Sequence, residues 1–98
     1  MLNDMSLAGF APLVGQVFRA RFGDALIDLT LVEASALVGD DDPRRQRTPF
    51  RLMFDTPSGP IAAQATYQLR HETMGEVAIF LVPISGGVAG IQYEAVFT

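Results

Sequence analysis

The chain has 98 residues, 49% of them hydrophobic, with a formal net charge of −4 and a pI near 4.6. That acidity disfavours non-specific attraction to nucleic acid or anionic membranes. There is no cysteine, and the seven basic residues are all arginines, so thiol nucleophiles, disulfides, thiolate zinc sites, lysine Schiff bases and Walker-type phosphate clamps are excluded.

One domain spanning 1–98 is expected, with a helical lead-in over 1–15 and a charged loop over 39–49. Ser6 to Val14 can form a short helix, with Ser6 as its N-cap, Pro12 limiting its regularity and Gly15 beyond its end. The N-terminus is acidic where a signal peptide would be basic, and its apolar run is short and holds a proline. No targeting segment or membrane span is therefore expected, and the cytoplasm is the default location. Absence of cysteine fits that compartment.

Strands and turns follow. Gln16 to Phe22 sets Phe18, Ala20 and Phe22 against Arg19 and Arg21. Gly23-Asp24 is a tight turn into "ALIDLTLVEASAL", where Ile27, Leu29 and Leu31 alternate with Asp28 and Thr30. In "PFRLMFD" the apolar set is Phe50, Leu52 and Phe54. The stretch "TPSGP" turns the chain into Ala63 to His71, with Ala65, Tyr67 and Leu69 on one face.

The fifth strand, Glu76 to Ile84, is apolar on both faces and is expected to be covered on both sides. The core supplies one cover, and the N-terminal helix or a neighbouring subunit the other. "SGGVAG" loops into a last strand, Ile91 to Phe97. The sum is an all-β fold, a small antiparallel barrel or sandwich of about six strands with a short N-terminal helix.

Five segments carry a pattern: Phe10-Ala11-Pro12-Leu13-Val14-Gly15 through Phe18-Arg19, Pro49 to Phe54, Tyr67 to His71, Phe80 to Pro83, and Tyr93 to Phe97. Together they resemble an uncharacterised bacterial family of small all-β domains, with the pattern FxPLxGxxFR, PFxLxF, YxLxH, FLVP and YEAVF. That pattern often has Gln-Gly before the fourth-strand tyrosine, where this chain has Gln64-Ala65. The resemblance implies no activity. It tilts toward a structural or assembly role of the phage-tail-like, collar-type kind.

His71 is the only histidine. As a catalytic base it would need Glu72, Glu76 or Glu94 and a nucleophile such as Ser58 or Ser85, yet no serine lies in a G-x-S-x-G elbow. A four-residue loop over Glu72 to Gly75 would instead set His71 opposite Glu76 as a cross-strand polar pair. One histidine without cysteine cannot build an ordinary zinc site.

In "GDDDPRRQRTP", Asp40, Asp41 and Asp42 are consecutive rather than alternating, unlike a calcium loop, and they face the competition of Arg44, Arg45 and Arg47. With Arg51, these arginines form a candidate interaction patch for an anion or a protein partner. The loop reads most simply as solvated and self-neutralising. The "SGGVAG" glycines precede a strand, which does not match a phosphate-binding turn.

The leading expectation is a non-enzymatic interaction module without cofactor that forms a homo-oligomer or docks on a protein partner, with no nucleic acid or membrane involved. Mean hydropathy of +0.26 in so small a domain supports it. A small-molecule-binding barrel using Tyr67 and Tyr93 comes second, and an enzyme centred on His71 third.

Overall fold

Two three-stranded halves repeat one plan. The computed structural model describes residues 6–37, 49–57, 61–87 and 90–97, the side chains of 85–87 aside. Strands β1 (Val17–Phe22), β2 (Ala25–Ala36) and β3 (Phe50–Thr56) form one antiparallel meander; β4 (Ala65–His71), β5 (Gly75–Gly87) and β6 (Gly90–Phe97) form the other. They close as a barrel in the order β1-β2-β3-β6-β5-β4.

The middle strands are long because each pairs with one neighbour along its first part and with the other along its second. β2 pairs with β1 over Ala25–Thr30, then with β3 up to Ala36, its register shifting between Leu31 and Glu33. β5 pairs with β4 over Gly75–Leu81, then with β6 over Val82–Gly87, shifting between Pro83 and Ser85. An extra residue in one strand bends it and raises its twist, which lets these strands turn the barrel's corners.

The two joints between the halves differ. β3 and β6 are in register from Phe50↔Phe97 to Thr56↔Ile91, whereas β1 and β4 pair only at Arg19↔Arg70 and Ala20↔Leu69.

Alternating side chains fill the interior. Phe18, Ala20, Leu29, Leu31, Phe50, Leu52, Phe54, Leu69, Val77, Ile79, Leu81, Tyr93 and Ala95 are buried. The expected inward faces therefore hold.

One end of the barrel is plugged by α1 (Leu7–Phe10), which continues as a 3-10 turn over Ala11–Leu13. The Ser6 hydroxyl accepts the Gly9 N–H at 3.2 Å, as an N-cap should. Pro12 falls in the first turn of the 3-10 segment, where its missing N–H removes no bond. Phe10 is fully buried beside Phe18, Phe50 and Phe97.

At the other end two tyrosines fasten residues 62 and 63. The Tyr93 hydroxyl accepts the Ala62 N–H at 2.9 Å, and the Tyr67 hydroxyl donates to the Ala63 carbonyl.

Candidate functional site

His71 ends β4 with its ring inside, 3% exposed. Its Nδ1 accepts the backbone N–H of Thr73 at 3.0 Å and of Met74 at 3.1 Å. An acceptor Nδ1 places the ring proton on Nε2, which lies 2.6 Å from Gln16 Oε1 and donates to it. The ring also packs on Phe18, centroids 4.7 Å apart. Both nitrogens are thus engaged in tying the β4–β5 turn to the residue that leads into β1. No carboxylate is among these partners, and Glu94 is bound to Arg51 instead. Of the serines considered as nucleophiles, Ser58 and the side chain of Ser85 lie outside the described residues.

The pairing of His71 with Glu76 is corrected. The loop has three residues, Glu72–Met74; Gly75 opens β5 opposite His71, and Glu76 falls opposite Arg70. Gly75, just after the loop, has φ +83°, the left-handed conformation in which a glycine closes such a turn as a bulge into the strand. His71 faces inward as the next residue on the face of Leu69, and there its imidazole supplies the acceptor for two loop N–H groups. Glu76 points outward and meets Arg70 at 3.2 Å.

Arg51 is the one member of the charged candidate patch inside the described residues; Asp40, Asp41, Asp42, Arg44, Arg45 and Arg47 lie outside them. From the outer face of β3 it reaches Glu94 on β6 and Glu33 on β2, each at 3.3 Å. The Ser35 hydroxyl donates to Glu33 at 2.8 Å. That bond, with the Arg51 guanidinium beside it, holds the Glu33 carboxyl below its ordinary value of 4.5. Arg51 therefore clamps three strands together. Sequence reading missed Glu33 and Ser35, because their meeting depends on the shifted β2–β3 register.

The outer face of β5 answers the question raised by its two apolar sides. Val77, Ile79 and Leu81 are buried, while Phe80 is 48% and Ile84 47% exposed, with Val82 between them half-buried. The N-terminal helix does not provide the second cover. It packs against β2 and sends Phe10 into the barrel end. Among the described residues no element covers Phe80 and Ile84, which stay about half open to solvent.

At the tyrosine end an open cleft of about 280 Å³ is lined by Phe22, Ala25, Ile27, Ile61, Ala62 and Tyr67. Met53 is buried, and Met74 packs against the core. Among the described residues no group of three or more histidine, aspartate or glutamate side chains could hold a metal ion. Among the same residues no helix is long and apolar enough to cross a membrane.

The fold and its filled interior define a small six-stranded antiparallel β-barrel domain. The family model DUF6916, a domain of unknown function, matches residues 5–97, and the chain belongs to that family. Comparison with curated proteins and with solved structures gives no match.

Proposed function

We propose that this domain is a non-enzymatic interaction module that associates with a second copy of itself through the outer face of β5. The carrying observation is the strip Phe80, Val82 and Ile84: Phe80 and Ile84 stand about half exposed on either side of the half-buried Val82, on a strand whose other face buries Val77, Ile79 and Leu81 in the core. Its symmetry suits a second copy. A two-fold rotation through Val82 sets each Phe80 against the partner's Ile84, as an isologous contact requires. The charges nearest on β6 and β3, Glu94 and Arg51, already neutralise one another, so they select no strongly charged partner.

A strip of this size supports a weak, concentration-dependent dimer rather than an obligate one. Light scattering over a concentration series is expected to give a mass that climbs above the 10.6 kDa of one chain. A mass that stays there throughout would count against association. In this proposal the module works in the bacterial cytoplasm, within a larger assembly of the phage-tail-like kind.

A second proposal is a small apolar ligand at the cleft beside Tyr67. The barrel interior leaves no role for Tyr93 in it, since that ring is buried and its hydroxyl is taken by Ala62.

A further inference from the structure

The weak joint between β1 and β4 carries an unusual row of charges. Register sets Asp28 opposite Arg19, Arg19 opposite Arg70, and Arg70 opposite Glu76. Read across four neighbouring strands, the signs run minus, plus, plus, minus. The two arginines face each other across the seam, where directly opposed like charges are destabilising. They do so where the two halves share only two registered pairs.

Among the described residues, each arginine meets a carboxylate on its far side alone. Asp28 meets Arg19 at 3.0 Å and Glu76 meets Arg70 at 3.2 Å. The side chains of both bridges are more than half exposed, from 56% to 74%, so neither bridge holds its arginine tightly. A third cation, Arg21, lies one outward position along β1 and has no ion-pair partner among the described residues. The three arginines line a groove of about 210 Å³ together with Leu26, Gln68 and the carboxylate-bearing side chain of Glu76. Three cations against two carboxylates leave this groove positive on a chain whose net charge is −4.

We infer that this groove binds a phosphate group, which sits between Arg19 and Arg70 and takes a further bond from Arg21. Guanidinium forks match the spacing of phosphate oxygens, and an oxyanion between two opposed arginines removes their repulsion. It would also staple the two halves at their weaker joint. Leu26, 55% exposed at the groove wall, offers apolar surface to an organic group carried by the phosphate.

The test is an NMR titration of the full chain with inorganic phosphate at constant ionic strength, following the arginine Nε–H signals. Saturable shifts confined to Arg19, Arg21 and Arg70 are expected. Arg21→Gln and Arg70→Gln should each weaken binding about tenfold or more, the usual scale for losing a hydrogen bond to a charged group. Both residues are exposed, and unchanged circular dichroism and thermal midpoints check that the variants fold. Tighter binding of phenyl phosphate than of inorganic phosphate assigns the site to a phosphate ester; equal binding assigns it to the free ion. Shifts that never saturate, shifts reproduced by chloride alone, or variants that bind like the wild type would overturn the inference.

Discussion

Phe10→Ala should lower the stability of the domain by about 3–5 kcal/mol, the range for emptying a buried phenylalanine site. Phe10 is fully buried, and its ring centroid lies 5.8 Å from Phe97, 6.1 Å from Phe50 and 6.3 Å from Phe18. Phe50 and Phe97 stack beneath it at 4.6 Å, so the ring closes an aromatic layer rather than filling a gap. A helix of four residues has no stability of its own, because nucleation is unfavourable and few bonds repay it. Removing the ring therefore also releases the helix that carries it. Urea denaturation checks the loss, and a reduced midpoint with little change in slope is expected. Val14→Ala, at an exposed position beyond the same segment, should stay within about 0.5 kcal/mol of wild type. An unchanged midpoint for Phe10→Ala would show that the barrel end closes without its plug.

Gly90→Ala should be comparably damaging for a different reason. At φ +113°, Gly90 opens β6 beside the end of β3, and a Cβ there would lie 2.3 Å from the Thr56 carbonyl oxygen and 2.8 Å from that of Pro57. Both obstacles are backbone atoms, which cannot rotate away as a side chain can. An unfavourable backbone conformation costs ~1–3 kcal/mol, and forced overpacking costs about the same again. The expected result is a thermal midpoint lower by well over ~10 °C, given roughly 4–8 °C per kcal/mol in a domain of this size. Gly23→Ala is the contrast, because nothing lies within 4 Å of its Cβ position although its φ is +63°. That variant should lose only the conformational part. If the two alanines cost the same, the approach of Gly90 to β3 is not the cause.

Alternation made most of the barrel legible in the sequence. Phe18 and Ala20, Leu29 and Leu31, Phe50, Leu52 and Phe54, and Tyr93 and Ala95 all face inward as their two-residue spacing requires. What was not legible depends on register, which a single residue can change. Counting four loop residues after His71 puts Glu76 opposite it; three residues, with Gly75 in a positive-φ conformation, put Gly75 opposite His71 and Glu76 opposite Arg70.

The shared use of β2 and β5 was hidden for the same reason, since the extra residues near Val32 and Ile84 look like ordinary strand positions. Gln16 gave no sign of being the partner of a histidine 55 residues away. The row of Arg19 and Arg70 likewise joins residues from different halves, and only closure of the barrel brings them together. The apolar second face of β5 was legible, whereas its cover was not, because the short helix ends in the core instead of on that face.

Phe80 offers the most direct test of association through β5. It is 48% exposed, so Phe80→Glu should leave the fold and its denaturation midpoint near wild type while placing two like charges in the proposed contact. Light scattering on both chains over the same concentration series makes the comparison. The wild type is predicted to rise above 10.6 kDa and Phe80→Glu to remain at it. A folded Phe80→Glu chain that associates as the wild type does, or a wild type that never leaves the monomer mass, would contradict a role for this face.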